Sequence, residues 1–186
     1  MKRRTLLALG LAAPAAWAVA DDIADRLRTG GVVMAFRHAL APGTFDPPNF
    51  RIGDCSTQRN LNDDGRAQAR RIGEWFKSRA LQPAVVRSSP WCRCLDTATL
   101  AFGSAERWRA LGSPRGSTEA TNAQSLKELS AALAAATRRG GGFEVWVTHM
   151  FVLADLTGAN AASGEGLLLG ADSRGAPQVL GRLLVP

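Results

Sequence analysis

The chain of 186 residues has no tyrosine, two histidines, three cysteines and, among 23 basic residues, three lysines (Lys2, Lys77 and Lys127). With aromatics at 6% and arginines spread along the chain, no basic run interleaves with stacking rings, which excludes nucleic acid as a partner. Cys55, Cys92 and Cys94 have no histidine pattern beside them, and Cys-x-Cys is not a usual zinc spacing, so neither a metal nor a cofactor is implied. No apolar run reaches the roughly 20 residues that a membrane span needs. Leu6–Ala13 and Ala16–Ala20 come nearest, but they are short, rich in alanine and followed at once by Asp21 and Asp22.

Residues 1–20 have a basic start (Lys2-Arg3-Arg4), a short apolar centre and A-x-A cleavage options, the pattern of a secretory signal peptide of the Sec or twin-arginine type. An uncleaved anchor is the alternative. The expected location is periplasmic or secreted, with no stable membrane span after leader removal, and residues 21–186 are expected to form a single domain. Of the net charge of +7, the leader supplies three positive charges. The remaining mild excess suits a small acidic substrate better than a polyanion. In an oxidising compartment Cys55 would pair with Cys92 or with Cys94, tying the loop after His38 to the segment around Arg93; buried free thiols are the alternative.

Gly31–Phe36 is a short, β-branched run without alternation, as expected of a strand buried on both faces of a parallel sheet, and Val145–Thr148 has the same character. Each run delivers a histidine at its end: Arg37-His38 after the first and His149 after the second. Ligands bind beyond the carboxyl ends of such strands, so Arg37, His38 and His149 are expected to converge. Either histidine taken alone reads more simply as a satisfied structural residue; the pair, with an arginine attached, points to phosphoryl-transfer chemistry.

Between them, Ala41–Thr57 carries Pro42, Gly43, Pro47, Pro48 and Gly53 and reads as a long loop that would wall a substrate site. Asn62-Asp63-Asp64 caps a helix running to about Ser78. Ala84–Val86 leads into Arg87-Ser88-Ser89-Pro90, a strand passing directly into a helix with Ser89 as N-cap and Pro90 as its first residue. Arg93 then falls in the first turns, where anions are favoured; an ion pair with Asp96 is the alternative. Phe102–Thr121 reads as an irregular lid with a short strand at Arg107–Leu111. Asn122–Arg139 is an amphipathic helix with Leu126, Leu129, Leu133 and Ala136 on one stripe, stopped by Gly140–Gly142. Phe151–Leu156 reads as a helical turn or more, and Gly166–Leu169 with Gln178–Val185 as a closing hairpin. The order predicts an α/β fold, a mostly parallel sheet with helices on both faces.

Four segments in this order, Phe36-Arg37-His38-Ala39, Asn60–Ala69, Ser89-Pro90-Trp91-Cys92-Arg93 with Thr97-Ala98, and Val147-Thr148-His149, resemble the histidine phosphatase superfamily, also called phosphoglycerate-mutase-like. The likeness spans most of the mature chain and is to an exported, branch-1-type member. It implies a three-layer sandwich in which His38 is the phosphorylated nucleophile and Arg37, Arg93 and His149 form the phosphate pocket. A leader together with Arg-His-Ala also resembles the exported lipopolysaccharide core heptose phosphatases. The chain departs from the family at Ala39, where glycine is usual, and at Leu40-Ala41-Pro42. It lacks the Arg-His-Gly-x-Arg-x-Pro signature, which excludes phytase-like activity, and the Glu-rich motif that supplies a proton donor. Glu119 is the best-placed substitute acid, with Asp96 and Glu106 behind it and a solvated surface carboxylate as the alternative. Arg59 and Arg51 would reach the substrate from the loop, unless they serve only at the surface.

Neutral imidazole accepts a phosphoryl group, and guanidinium forks match two phosphoryl oxygens at once. A nucleophilic His38 must be unprotonated, and a cationic His149 would require the two pKa values to be pushed apart. The expected activity is hydrolysis of a small or envelope-derived phosphomonoester through phosphohistidine at His38. The alternatives are a phosphohistidine phosphatase and a catalytically weak phosphate-binding module. Oligomeric state is not fixed by the sequence.

Overall fold

The computed structural model describes residues 15–114 and 119–186. Six strands and five helices are present among them: α1 (Ala15–Thr29), β1 (Val32–Arg37), α2 (Asp63–Ser78), β2 (Val85–Ser88), α3 (Cys92–Phe102), β3 (Glu106–Arg107), α4 (Glu119–Arg139), β4 (Phe143–Thr148), α5 (Met150–Thr157), β5 (Gly166–Ala171) and β6 (Pro177–Leu183). One sheet contains all six strands in the order β3-β2-β4-β1-β5-β6. The β1–β4, β2–β4 and β2–β3 pairs are parallel, and β5 and β6 close the other edge antiparallel, as the hairpin pattern predicts.

Because β1 and β4 are buried on both faces, alternate residues feed two cores. Val32, Met34, Phe36, Val145 and Val147 face α1, α2 and α3, where Ile23, Leu27, Ile72, Phe76, Cys94 and Ala98 pack. Val33, Ala35 and Trp146 face α4 and α5, packing on Leu129, Leu133, Ala136, Val152 and Leu153. This is the expected three-layer arrangement. Leu126 of the predicted α4 stripe is only half-buried, while Ala134 is buried in its place.

Residues 1–14 of the expected leader lie outside the described residues, and no helix among the described residues is long and apolar enough to cross a membrane. Ile23, Ala24 and Leu27 stand at helical spacing on α1, which buries all three. The lid expected at Phe102–Thr121 is more ordered than its composition suggests where it is described. Its strand comes one residue earlier, at Glu106–Arg107, followed by a 3-10 turn at Arg109–Leu111 that buries Ala110 and Leu111.

The α3 terminus differs from expectation. The helix begins at Cys92, with Trp91 as its cap and no side-chain capping bond, so Ser89 and Pro90 lie before it, with a bend at Pro90. The Ser89 hydroxyl accepts a 3.3 Å bond from the Trp91 N–H, but its closer partner lies across the site. At α2 the expected cap is present: the Asn62 side chain accepts from the Gly65 N–H at 2.8 Å. A Cβ at Gly65 would run into the Leu40 backbone, so glycine lets α2 approach the chain two residues past His38.

Candidate functional site

The sheet register sets the two histidines. Arg37 lies opposite Thr148 in the parallel β1–β4 pair, and one step later the His38 N–H donates to the Thr148 carbonyl at 2.9 Å. His38 and His149 therefore leave the sheet side by side, with ring centroids 5.6 Å apart and nearly perpendicular planes. Both are 2% exposed. In the adjoining strand Ser88 pairs with Val147, so Ser89 leaves the sheet on the other side of His149.

Each ring has a defined orientation. His38 Nδ1 is 2.8 Å from the Ala39 carbonyl, which can only accept, so Nδ1 carries the hydrogen and Nε2 keeps the lone pair. Arg93 Nη2 stands 3.5 Å from His149 Nδ1 and can only donate, which leaves the neutral ring's proton on Nε2, donated to the Ser89 hydroxyl at 2.8 Å.

Burial is the main force on both pKa values. It pushes His38 down to about 3, with the Arg93, Arg59 and Arg37 charges adding to the effect and the Ala39 hydrogen bond partly offsetting it. Burial, Arg93 and His38 likewise hold His149 well below the ordinary value. A cationic His149 is thus not what the pocket favours: both imidazoles are held neutral, chiefly by burial and further by the three guanidinium charges around them.

Those guanidinium groups come from three parts of the chain. Arg37, at the end of β1, donates to the Ala161 carbonyl at 3.0 Å. Arg59 follows the long loop and donates to the Ala41 carbonyl. Arg93 lies in the first turn of α3 and is 4% exposed. The Nε of each is buried and has no hydrogen-bond partner. A buried unpaired N–H normally costs about 1–3 kcal/mol, and three of them, on arginines whose charges all act on His38 and His149, make a cradle suited to an anion. Burial and the Arg93 charge lower the pKa of Arg37 and of Arg59, the mark of like charges held together.

A carboxylate also stands in the pocket, from a residue that the sequence pattern did not single out. Asp46, in the Pro-rich loop, receives Arg93 Nη1 at 2.8 Å and Nη2 at 3.3 Å, the Arg59 N–H at 3.0 Å and Trp91 Nε1 at 3.3 Å. Burial pushes its carboxyl up, but the hydrogen bonds from Arg59 and Arg93 and the Arg93 charge outweigh that, so it titrates below its ordinary value. Arg93 is paired with Asp46, not with Asp96. The only sequence signal was position: a carboxylate inside a loop expected to wall the site.

The disulfide joins Cys55 to Cys92, with Cα atoms 5.7 Å apart, leaving Cys94 as the free, buried cysteine. It fastens the loop carrying Asp46 to the residue before Arg93. Cys94 Sγ lies 3.5 Å from His149 Nε2, but burial pushes its thiol up to about 12, which keeps it protonated and inert.

Glu119 does not reach the pocket. It is the exposed first residue of α4, not part of an irregular segment, and residues 115–118 before it lie outside the described residues. Asp96 is half-buried on α3, where burial raises its carboxyl and the Arg66 charge opposes this. Glu106 is exposed on β3 beside Arg87, and Arg51 is exposed. Among the described residues no group of three histidine, cysteine or acidic side chains is placed to hold a metal ion.

Beside Arg93 opens a cleft of about 430 Å³, walled by Phe45, Phe50, Trp91, Asp46 and Ser113. A larger groove of about 850 Å³ runs between α2, α3 and the start of β2, but neither a histidine nor a cradle arginine lines it. The smaller cleft adjoins the cradle through Arg93 and Asp46, and its Trp91 ring lies 5.2 Å from that of His149.

Residues 55–111 match the model of the histidine phosphatase superfamily (branch 1). No curated protein matches the sequence. Among solved structures, the protein histidine phosphatase SixA complexed with tungstate superposes with a TM-score of 0.55 at 19% identity, covering 82% of this chain and 96% of that one. An alpha-ribazole phosphatase from Shigella flexneri gives 0.58 at 14% identity, covering 83% and 96%. A phosphoserine phosphatase mutant from Entamoeba histolytica in complex with phosphoserine gives 0.54 at 12%, covering 81% and 95%.

Proposed function

We propose that this chain belongs to the histidine phosphatase superfamily and hydrolyses a small phosphomonoester through a phosphohistidine at His38. The observation that carries the proposal is the set of three buried, unpartnered arginine Nε donors around a neutral imidazole whose Nε2 lone pair is free. A phosphoryl group presents three oxygens to such donors. In the first step the His38 Nε2–phosphorus bond forms as the bond from phosphorus to the leaving oxygen breaks, and the departing oxyanion takes its proton from water. In the second, water attacks phosphorus, the nitrogen–phosphorus bond breaks, and orthophosphate leaves with neutral His38 restored. Arg37, Arg59 and Arg93 neutralise the equatorial oxygens, and His149, oriented by Ser89, accepts from Arg93 Nη2 and so helps hold that guanidinium in place.

The Cys55–Cys92 bridge supports placement in an oxidising compartment, the periplasm or outside the cell, where an envelope-derived phosphate would be met. A second reading, phosphohistidine phosphatase, is favoured by one observation. Glu119 faces solvent and Asp46 is held ionised, so the pocket lacks a protonated acid, which a phosphohistidine leaving group needs less than an alcohol does. SixA, by its description a protein histidine phosphatase, is one of the fold neighbours.

The test is rapid-quench trapping with a labelled aryl phosphate. Acid-labile label on His38 in the wild type, and none in His38→Asn, is the expected result. Turnover that survives in His38→Asn, or no turnover of any phosphomonoester or phosphohistidine by the wild type, would overturn the enzymatic proposal and leave phosphate binding alone.

A further inference from the structure

We propose that the cleft beside Arg93 selects substrates whose phosphoryl group is carried on a flat aromatic ring, a phenol or an imidazole, over those carried on a sugar or polyol. This rests on the phosphatase reading for its chemistry but not for its binding preference.

The first observation is the wall. The chain has twelve aromatic residues, seven Phe and five Trp. Three of them, Phe45, Phe50 and Trp91, line this one cleft. Phe50 and Trp91 are stacked, with centroids 5.5 Å apart and planes 22° from parallel, and the Trp91 ring stands edge-on to His149 at 5.2 Å. Phe45 is 63% exposed, an unusual position for a large apolar side chain, and adds ring surface to the lining. A ring entering against these faces gains offset or edge-to-face contact, on the order of 0.5–1.5 kcal/mol beyond the area it buries.

The second observation is how little the wall offers a polyol: its hydroxyl-bearing side chains are Thr44 and Ser113. A polyol needs directional partners for each hydroxyl that leaves water, and unmet hydroxyls are rejected strongly. Asp46, the charged acceptor facing the cleft, already receives four hydrogen bonds, from the Arg59 N–H, Trp91 Nε1 and both Arg93 Nη atoms. Its negative charge also opposes a second phosphate or carboxylate on the substrate.

The third is the leaving group. An alkoxide departs only with a proton delivered to it, whereas a phenoxide tolerates its charge far better. A pocket whose carboxylate is pinned by four donors, and whose expected acid at position 119 faces solvent, matches a ring-borne phosphoryl group on chemical grounds as well as by shape.

Binding and turnover test this separately. Benzylphosphonate, a non-hydrolysable ring-bearing phosphonate, should bind about tenfold more tightly than propylphosphonate in calorimetry, and Phe50→Leu should reduce that ratio to about two. Phosphate itself should bind both proteins equally, since the Phe50 ring has no polar atom to offer it. In turnover, 2-naphthyl phosphate should show a lower KM than phenyl phosphate, whose leaving group is similar, and a sugar phosphate should be at least about 100-fold poorer in kcat/KM. Equal binding of the two phosphonates, an unchanged ratio in Phe50→Leu, or a sugar phosphate matching the aryl esters would overturn the proposal. Phosphonate discrimination without any turnover would leave the ring preference standing and count against the enzymatic reading instead.

Discussion

Asp46 holds Arg93 by both of its carboxylate oxygens, at 2.8 and 3.3 Å, inside a pocket built for an anion. The contact fixes the guanidinium, whose Nε remains unpartnered. It also places a negative charge beside any bound phosphoryl group. The two effects oppose each other in affinity, and charge should win over orientation, because an amide oxygen can keep the geometry while losing the repulsion.

Asp46→Asn should therefore bind inorganic phosphate more tightly, with the inhibition constant falling about tenfold, equivalent to ~1.4 kcal/mol. The measurement is competitive inhibition by phosphate at fixed ionic strength. An unchanged or raised constant would mean that Asp46 acts on anion binding only by holding Arg93 in place.

Ser89 orients His149 from the side opposite Arg93. Removing the hydroxyl in Ser89→Ala frees the ring and its tautomer without touching the cradle, so kcat should fall roughly 10- to 100-fold while KM stays within about threefold. Ser89→Thr should recover most of the loss. A matching rise in KM, or no change in kcat, would show that the hydroxyl serves packing only.

Stability should fall as the solution is acidified. His38 is pushed down to about 3 and His149 is also lowered, both chiefly by burial. A group whose folded pKa lies below its unfolded value binds fewer protons in the fold. Its stabilisation is complete above the unfolded value of about 6.5 and is lost as pH falls toward the folded one. Asp46, also lowered, adds to the loss below about pH 4 by the same rule. Urea unfolding between about pH 7 and pH 4 should show the decline, on the order of a few kcal/mol. A His38→Gln, His149→Gln double variant should show a shallower one, and parallel curves for the two proteins would refute the assignment.

The Cys55–Cys92 bridge closes a loop with a sequence separation of 37 that contains Arg59 and ends beside Arg93. Chain-entropy reasoning gives it roughly 3–4 kcal/mol, so Cys55→Ser should lower the melting temperature by several degrees and weaken phosphate binding as Arg59, inside the closed loop, loses its fixed place. Calorimetry with and without reductant gives the same comparison for the wild type. Phosphate affinity that survives reduction intact would show that the loop holds Asp46 and Arg59 without the covalent tie.

The sequence by itself determined the elements and the two histidines. Buried strands without alternation, an Asn62-capped helix and a terminal hairpin are local patterns, and local patterns survive translation into structure. Because strand ends of a parallel sheet meet, Arg37, His38 and His149 were legible, and Arg93 followed from its place near the start of a helix. Tertiary structure alone decided what those side chains face. Ser89 reads in sequence as a helix cap, yet His149, 60 positions away, takes its hydroxyl. Glu119 reads as an acid, yet it is the exposed first residue of α4. Asp46 carries no pattern, because the path of a Pro-rich loop is fixed by a disulfide and by four hydrogen bonds to distant donors. The choice of Cys92 over Cys94 was settled the same way: a two-residue offset on a helix turns one thiol toward the loop and the other into the core beneath His149.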